Sequence, residues 1–237
     1  MATQYAFGKI VTDGLVLSLN AADKNSYPGS GTTWTDMSGN GNNGTLTNGP
    51  TFSSANGGFI DYDGTDDYVD CGNSSALSFG TESFTLDVWT RASAIGTTRF
   101  IVGKMDSPGL GSGTGYGLYL GNGGTNWIFG VWDAAVLRIP TTPYTASPNV
   151  WIYLAGVRDK ESNQVNLYVN GVLTASSSDL GMDTTVVTPF VVGGITTSNS
   201  TANRWNGDIA STKVYNRALS ASEVLQNYNA TKTRFGL

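Results

Sequence analysis

The chain has no histidine and a single cysteine, Cys71, in 237 residues. Without histidine it lacks the usual general base of serine and cysteine hydrolases and the commonest transition-metal ligand. One cysteine allows no intrachain disulfide, and Cys71 reads as a small buried residue rather than a reactive thiol. Charge is scarce at 13% of residues, with a net charge of −5 and no basic run. That balance excludes a phosphate-backbone grip of the kind nucleic-acid binders need. No apolar stretch is long enough to span a bilayer as a helix. The first residues, Met1 to Tyr5, carry neither the charged nor the apolar region of a signal peptide, so release by cell lysis is the expected route out of a cell. Glutamate is rare too: Glu82, Glu161 and Glu223 are the only three.

What is abundant is turn and strand chemistry. There are 31 glycines, with many Asn, Ser and Thr, and helix formers are outnumbered. Ser83 to Trp89 alternates cleanly and places Phe84, Leu86 and Val88 on one face. Further strands are expected near residues 14–19, 58–62, 66–71, 100–104, 116–120, 126–132, 151–158, 164–169, 172–173, 190–193 and 207–215. Asn170-Gly171 between two β-rich runs predicts a type I′ hairpin. Residues 23–48 read as a long turn-rich excursion, and 1–13 as an N-terminal arm preceding a domain over 14–237. Many short strands separated by turn signals predict an all-β antiparallel sandwich or barrel.

The one convincing helix start lies near the C-terminus. Ser220 with Glu223 forms a capping box, and Leu219 with Val224 a hydrophobic staple, which predicts a short helix over 221–229.

Four blocks together resemble the laminin-G-like branch of the concanavalin A-like lectin/glucanase superfamily. They are Trp34 to Thr45 (WTDMSGNGNNGT), Asp61 to Val69 (DYDGTDDYV), Ser83 to Trp89 (SFTLDVW), and Gly207 to Tyr228, which also resembles the closing strand and helix of pentraxins. The resemblance implies a concanavalin A-like jelly-roll sandwich with one short C-terminal helix. The wording of residues 14–22, 26–34 and 216–223 is similar to laminin-G-like proteins of tailed bacteriophages. This implies a virion protein, a capsid decoration or a tail- or fibre-associated component. It would be made in the host cytoplasm, be oligomeric or lattice-bound, and have other virion proteins and host-surface glycans as partners.

Candidate sites follow from chemistry and from the resemblance. Glucanases of the superfamily use paired acids on a Glu-x-Asp-x-Glu strand, which is missing here. Glu82 and Asp87 lie on opposite faces of their strand, so no catalytic residue is assigned. For a glycan, aromatic faces plus amide or guanidinium groups are needed. Trp127, Tyr144, Trp205 and Arg204 are the candidates, with core packing the competing reading for both tryptophans. A structural calcium ion would need six to eight oxygens. Asp36 with Asn40 and Asn42, and Asp63 with Asp66 and Asp67, could supply some, or could simply cap turns. The paired pentraxin calcium site, expected near Asp106 and Thr196 to Asn199, lacks carboxylates in its second half. The expected function is therefore a non-enzymatic, lectin-like virion protein. The alternatives are a glycoside hydrolase or lyase acting on host polysaccharide and a free carbohydrate-binding module.

Overall fold

The computed structural model describes residues 9–106, 113–121, 123–134, 136–138, 144–195 and 203–237. The second pentraxin-like loop, expected at 196–199, therefore falls outside the described residues.

In chain order the strands are β1 (Leu15–Asn20), β2 (Thr33–Trp34), β3 (Gly44–Thr47), β4 (Thr51–Ser53), β5 (Phe59–Asp63), β6 (Tyr68–Asp70), β7 (Phe84–Ala92) and β8 (Arg99–Met105). They continue with β9 (Gly115–Gly121), β10 (Asn126–Asp133), β11 (Val136–Arg138), β12 (Ile152–Asp159), β13 (Gln164–Val169), β14 (Val172–Ser178), β15 (Val191–Val192) and β16 (Asn206–Tyr215). The helix α1 (Ala221–Thr231) follows. One antiparallel sheet runs β14-β13-β12-β7-β16-β5-β4, with β1 also paired to β16. The other runs β11-β10-β9-β8-β15-β6-β3-β2. The protein is thus an antiparallel β-sandwich with one short C-terminal helix, as expected.

β7 shows how sequence becomes layers. Phe84, Leu86 and Val88 point between the sheets and join Leu118, Phe129 and Val131 in the main core. The Phe84 ring lies 4.5 Å from Tyr116 and 5.9 Å from Phe129, centroid to centroid. Gly156 on β12 allows this closeness, because a Cβ there would overlap the Phe129 ring.

The opposite face of β7 carries Thr85, Asp87 and Trp89, and it is buried as well. Helix α1 covers it. The Trp89 indole donates to Thr231 Oγ1 at 2.7 Å and stacks on Phe235 and Tyr228 at 4.2 and 5.7 Å. The capping box forms as expected, and Leu219 and Val224 pack into the same cluster as Trp89. Beneath the helix, Asp87 accepts from Lys213 Nζ (2.7 Å), Tyr153 Oη (2.9 Å) and Asn227 Nδ2 (3.2 Å). A buried charge needs such saturation, since an unpaired one costs several kcal/mol.

Three expectations change. Residues 23–48 hold two short strands, β2 and β3, which escape a periodicity reading because two to four residues are too few to alternate. The described part of the N-terminal arm is fastened to the body. Val11 N donates to Asn227 Oδ1 at 2.8 Å, Val11 O accepts from Tyr215 Oη at 3.0 Å, and Gln226 donates to Lys9 O at 2.8 Å. The strand expected at 66–71 shrinks to Tyr68–Asp70, because Asp67 is spent on its own turn. The type I′ hairpin is present, with positive φ at both Asn170 (50°) and Gly171 (80°).

Candidate glycan-contact site

The segment after residue 143 returns across the end of β10. Thr145 bridges to Asn126, Ala146 N donates to Thr125 O (2.8 Å), and Asn149 N to Ala92 O (2.7 Å). These bonds fix a small recess of about 260 Å³, walled by Trp127, Tyr144, Val150, Trp151 and Asn170. Tyr144 is 41% exposed and Trp127 only 1%, so the tyrosine ring forms the accessible wall and the indole the floor. Trp151 is held edge-on to Phe59 and donates to Asn56 Oδ1 at 3.3 Å. Asn170 is oriented by the hairpin, where its Oδ1 accepts from Tyr153 N at 3.0 Å. No charged side chain lines the recess among the described residues. Aromatic walls with amide and hydroxyl groups, and no charge, suit the apolar face and hydroxyls of a neutral sugar.

The other glycan candidates are placed differently. Trp205 is wholly buried in the main core and packs against Trp127 at 6.1 Å, so it offers no ring face to a sugar. Its position corrects the surface reading: the residues beside it are polar, but its indole points between the sheets. Arg204 lies 4.3 Å over the Tyr68 ring, away from the recess, and burial pushes its pKa down. Of the four candidates, the structure brings only Trp127 and Tyr144 together at the recess. Trp151 and Asn170 complete it. Trp151 is 8% exposed and part of the cluster under α1, and Asn170 is the first residue of the type I′ turn, so each serves the fold as well as the recess wall.

The two calcium candidates also separate. Asp36 is buried and accepts from Ser18 N, Ser38 N, Ser38 Oγ and Asn42 N at 2.8–3.0 Å. Asn42 and Asn40 in turn donate to Val16 O and Leu15 O. The Asp36 lone pairs are spent on closing the loop against β1, so this carboxylate is not free for a cation. Asp63, Asp66 and Asp67 bring one carboxylate oxygen each within 4.8 Å of one another. Burial and the neighbouring charges of Asp63, Asp66 and Asp61 raise the Asp67 pKa. This set fits a hard cation, which would relieve that repulsion, although three carboxylates are half of a calcium shell at most.

The acids weighed for hydrolysis do not meet. Glu82 is exposed and paired to Lys160 at 2.6 Å, while Asp87 is sealed under α1. Cys71 is buried, and burial pushes its thiol pKa up, as expected for an inert core residue.

Among solved structures, the fold is similar to the binding domain of Paraclostridial mosquitocidal protein 1 (18% identity, TM-score 0.71, covering 92% of this chain and 52% of that one). It is similar to domain 4 of AbnA, an extracellular arabinanase of Geobacillus stearothermophilus, in complex with arabinotriose (18% identity, TM-score 0.69, covering 90% and 98%). It is also similar to Trypanosoma rangeli sialidase (16% identity, TM-score 0.67, covering 93% of this chain and 33% of that one). The chain thus spans about half of the toxin domain and a third of the sialidase. No curated protein matches the sequence. A family model for laminin-G-like domains, described as the concanavalin A-like lectin/glucanases superfamily, matches residues 63–225, more than half of the chain. With its two-sheet sandwich and closing helix, the chain belongs to the concanavalin A-like lectin/glucanases superfamily.

Proposed function

We propose that this domain is a non-catalytic, lectin-like module that binds a neutral glycan at the Tyr144 recess. The observation that carries this reading is the exposed Tyr144 ring, lining one recess with Trp127 and the Asn170 amide and with no charged side chain among its described lining residues. The arabinotriose held by AbnA domain 4 shows that a sandwich of this shape can hold a short neutral oligosaccharide. Binding rather than hydrolysis is favoured because no carboxylate pair lines the recess among the described residues, and a retaining glycosidase needs two about 5–5.5 Å apart.

The phage-like wording of residues 14–22, 26–34 and 216–223 supports a finer proposal. The module is displayed on a tailed-phage virion, as a capsid decoration or beside the tail fibres, and meets host-surface glycans there. A glycan array with and without chelator tests the binding. Signal on neutral oligosaccharides that falls in Tyr144→Ala is the expected outcome, and a blank array contradicts it. Reducing-end release from the same glycans is expected to be nil; turnover would favour the hydrolase alternative. For the virion role, mass spectrometry of purified particles should find the protein at a fixed copy number. Its absence from particles would remove that proposal and leave the binding module.

A further inference from the structure

A second and larger recess, about 1050 Å³, lies where the N-terminal segment, the turn after β1, the turn before β5 and the end of α1 meet. Its charge is one-sided. Among the described residues, Lys9, Lys24 and Arg234 line it against a single carboxylate, Asp23. One of its oxygens, Oδ1, accepts from Asn25 N and Nδ2 at 2.9 and 3.1 Å, and its single negative charge is outnumbered by the three cations. Lys9 and Lys24 are exposed at the mouth.

Arg234 is the informative residue. Its guanidinium donates to Asn56 O (3.3 Å), Asn20 Oδ1 (3.0 Å) and Gly58 O (2.9 Å), all neutral. Among the described residues no carboxylate pairs with it. Burial lowers its pKa to about 10 with no counter-charge acting on it. Elsewhere the buried Arg158 sits on Asp179 and Lys213 on Asp87, and the partly exposed Arg91 on Asp208, while Arg99 ends on two carbonyl oxygens and Arg204 over the Tyr68 ring. Lys104 also ends on neutral acceptors, but it is sealed from solvent. Arg234 combines an uncompensated charge with an open recess. A planar guanidinium held by three acceptors is oriented in advance for an incoming oxyanion.

We propose that this recess binds an acidic saccharide, one bearing carboxylate or sulfate groups, with Arg234 as the anchoring cation. Lys9 and Lys24 add charge at the mouth, and the hydroxyls of Thr12 and Thr233 line the wall where sugar hydroxyls would meet them. The volume is at the upper end of ordinary ligand sites and admits several sugar units. The site is separate from the uncharged Tyr144 recess and does not depend on that reading.

Calorimetry at low salt with tetragalacturonate, a sulfated cellotetraose, neutral cellotetraose and inorganic sulfate tests the proposal. At least one acidic tetrasaccharide should bind at least tenfold tighter than both neutral cellotetraose and inorganic sulfate, and the better of the two identifies the charged group. Binding should weaken at least tenfold when salt rises to 0.5 M, as screening requires. It should fall about fivefold in the double variant Lys9→Gln/Lys24→Gln, whose side chains are exposed, and be lost in Arg234→Gln. If Arg234→Gln does not fold, the lysine variant carries the test alone. Binding should persist in Tyr144→Ala. Equal binding of acidic and neutral sugars, inorganic sulfate binding as tightly as the saccharides, or full affinity in the lysine variant would overturn it. Loss in Tyr144→Ala with retention in the lysine variant would assign the sugar to the other recess.

Discussion

The loops at 36–43 and 61–70 both set Asp beside Gly and other small polar residues, yet they use their carboxylates differently. In the first, Asp36 turns inward and takes four donors, so its charge is answered by the fold. In the second, Asp63, Asp66 and Asp67 crowd together: Asp63 accepts from Thr65 N at 2.7 Å, which lowers its pKa, while Asp67 accepts from Asp63 N and has its pKa raised by burial and by its neighbours' charges. The same division separates the aromatics. Trp205 is spent on the core, while Tyr144 keeps a face outside. A polar or aromatic residue is available for a ligand only to the extent that the fold has not already used it.

Breaking the spent members should cost most. Trp205→Ala removes a wholly buried indole and is expected to lose about 3–5 kcal/mol of stability by denaturant melt. Asp36→Ala strands four donors and should cost about 3 kcal/mol, a fall in Tm of about 10 °C for a chain of this size. A loss below about 0.5 kcal/mol would mean that the loop does not depend on Asp36.

The crowded loop should respond weakly and with the opposite sign. Because the Asp67 pKa is raised in the folded state, the fold holds a proton there that the unfolded chain has released. Its contribution is therefore most favourable at acid pH and declines as pH rises above about 3.8 through the raised value. Asp67→Asn should flatten that decline and leave stability at pH 7 unchanged or up to about 1 kcal/mol higher. Glu223 runs the other way. Its hydrogen bond from Arg217 holds its pKa at about 2, so its support for the helix cap is full above 4.5 and is lost as pH falls from there to about 2. Millimolar calcium should raise the Tm by a few degrees at most, by mass action on the native state. That rise should vanish in Asp66→Asn/Asp67→Asn, while any effect should survive alteration of Asn40.

Much of the fold was legible because it rests on period and capping. The alternation of Phe84, Leu86 and Val88 marks the inner face of β7, and Ser220 with Glu223 marks where α1 begins. The burial of the other face was not legible. The alternation only sets Thr85 and Asp87 opposite Phe84 and Leu86, and the position of α1 is needed to show that Lys213, Tyr153 and Asn227 answer the charge. The site was half legible. Tyr144 and Trp127 stand out as aromatics beside polar turns, but Trp205 has the same local wording and the opposite fate. Trp151 and Asn170 enter the recess through strand pairing that joins residues far apart in sequence, which no local pattern reports. The acidic-saccharide recess was invisible for the same reason: Lys9, Lys24 and Arg234 come from both ends of the chain.

The central claim is that Tyr144 is the wall of a neutral-glycan site. Its most direct test is calorimetric titration of the neutral oligosaccharide that gives the strongest array signal, into the wild type and Tyr144→Ala. Removing a stacking ring should lower affinity about tenfold, equivalent to about 1.4 kcal/mol, while the Tm of the free protein stays within about 1 °C, since the side chain is largely outside the core. Equal affinity in the two proteins would contradict the account.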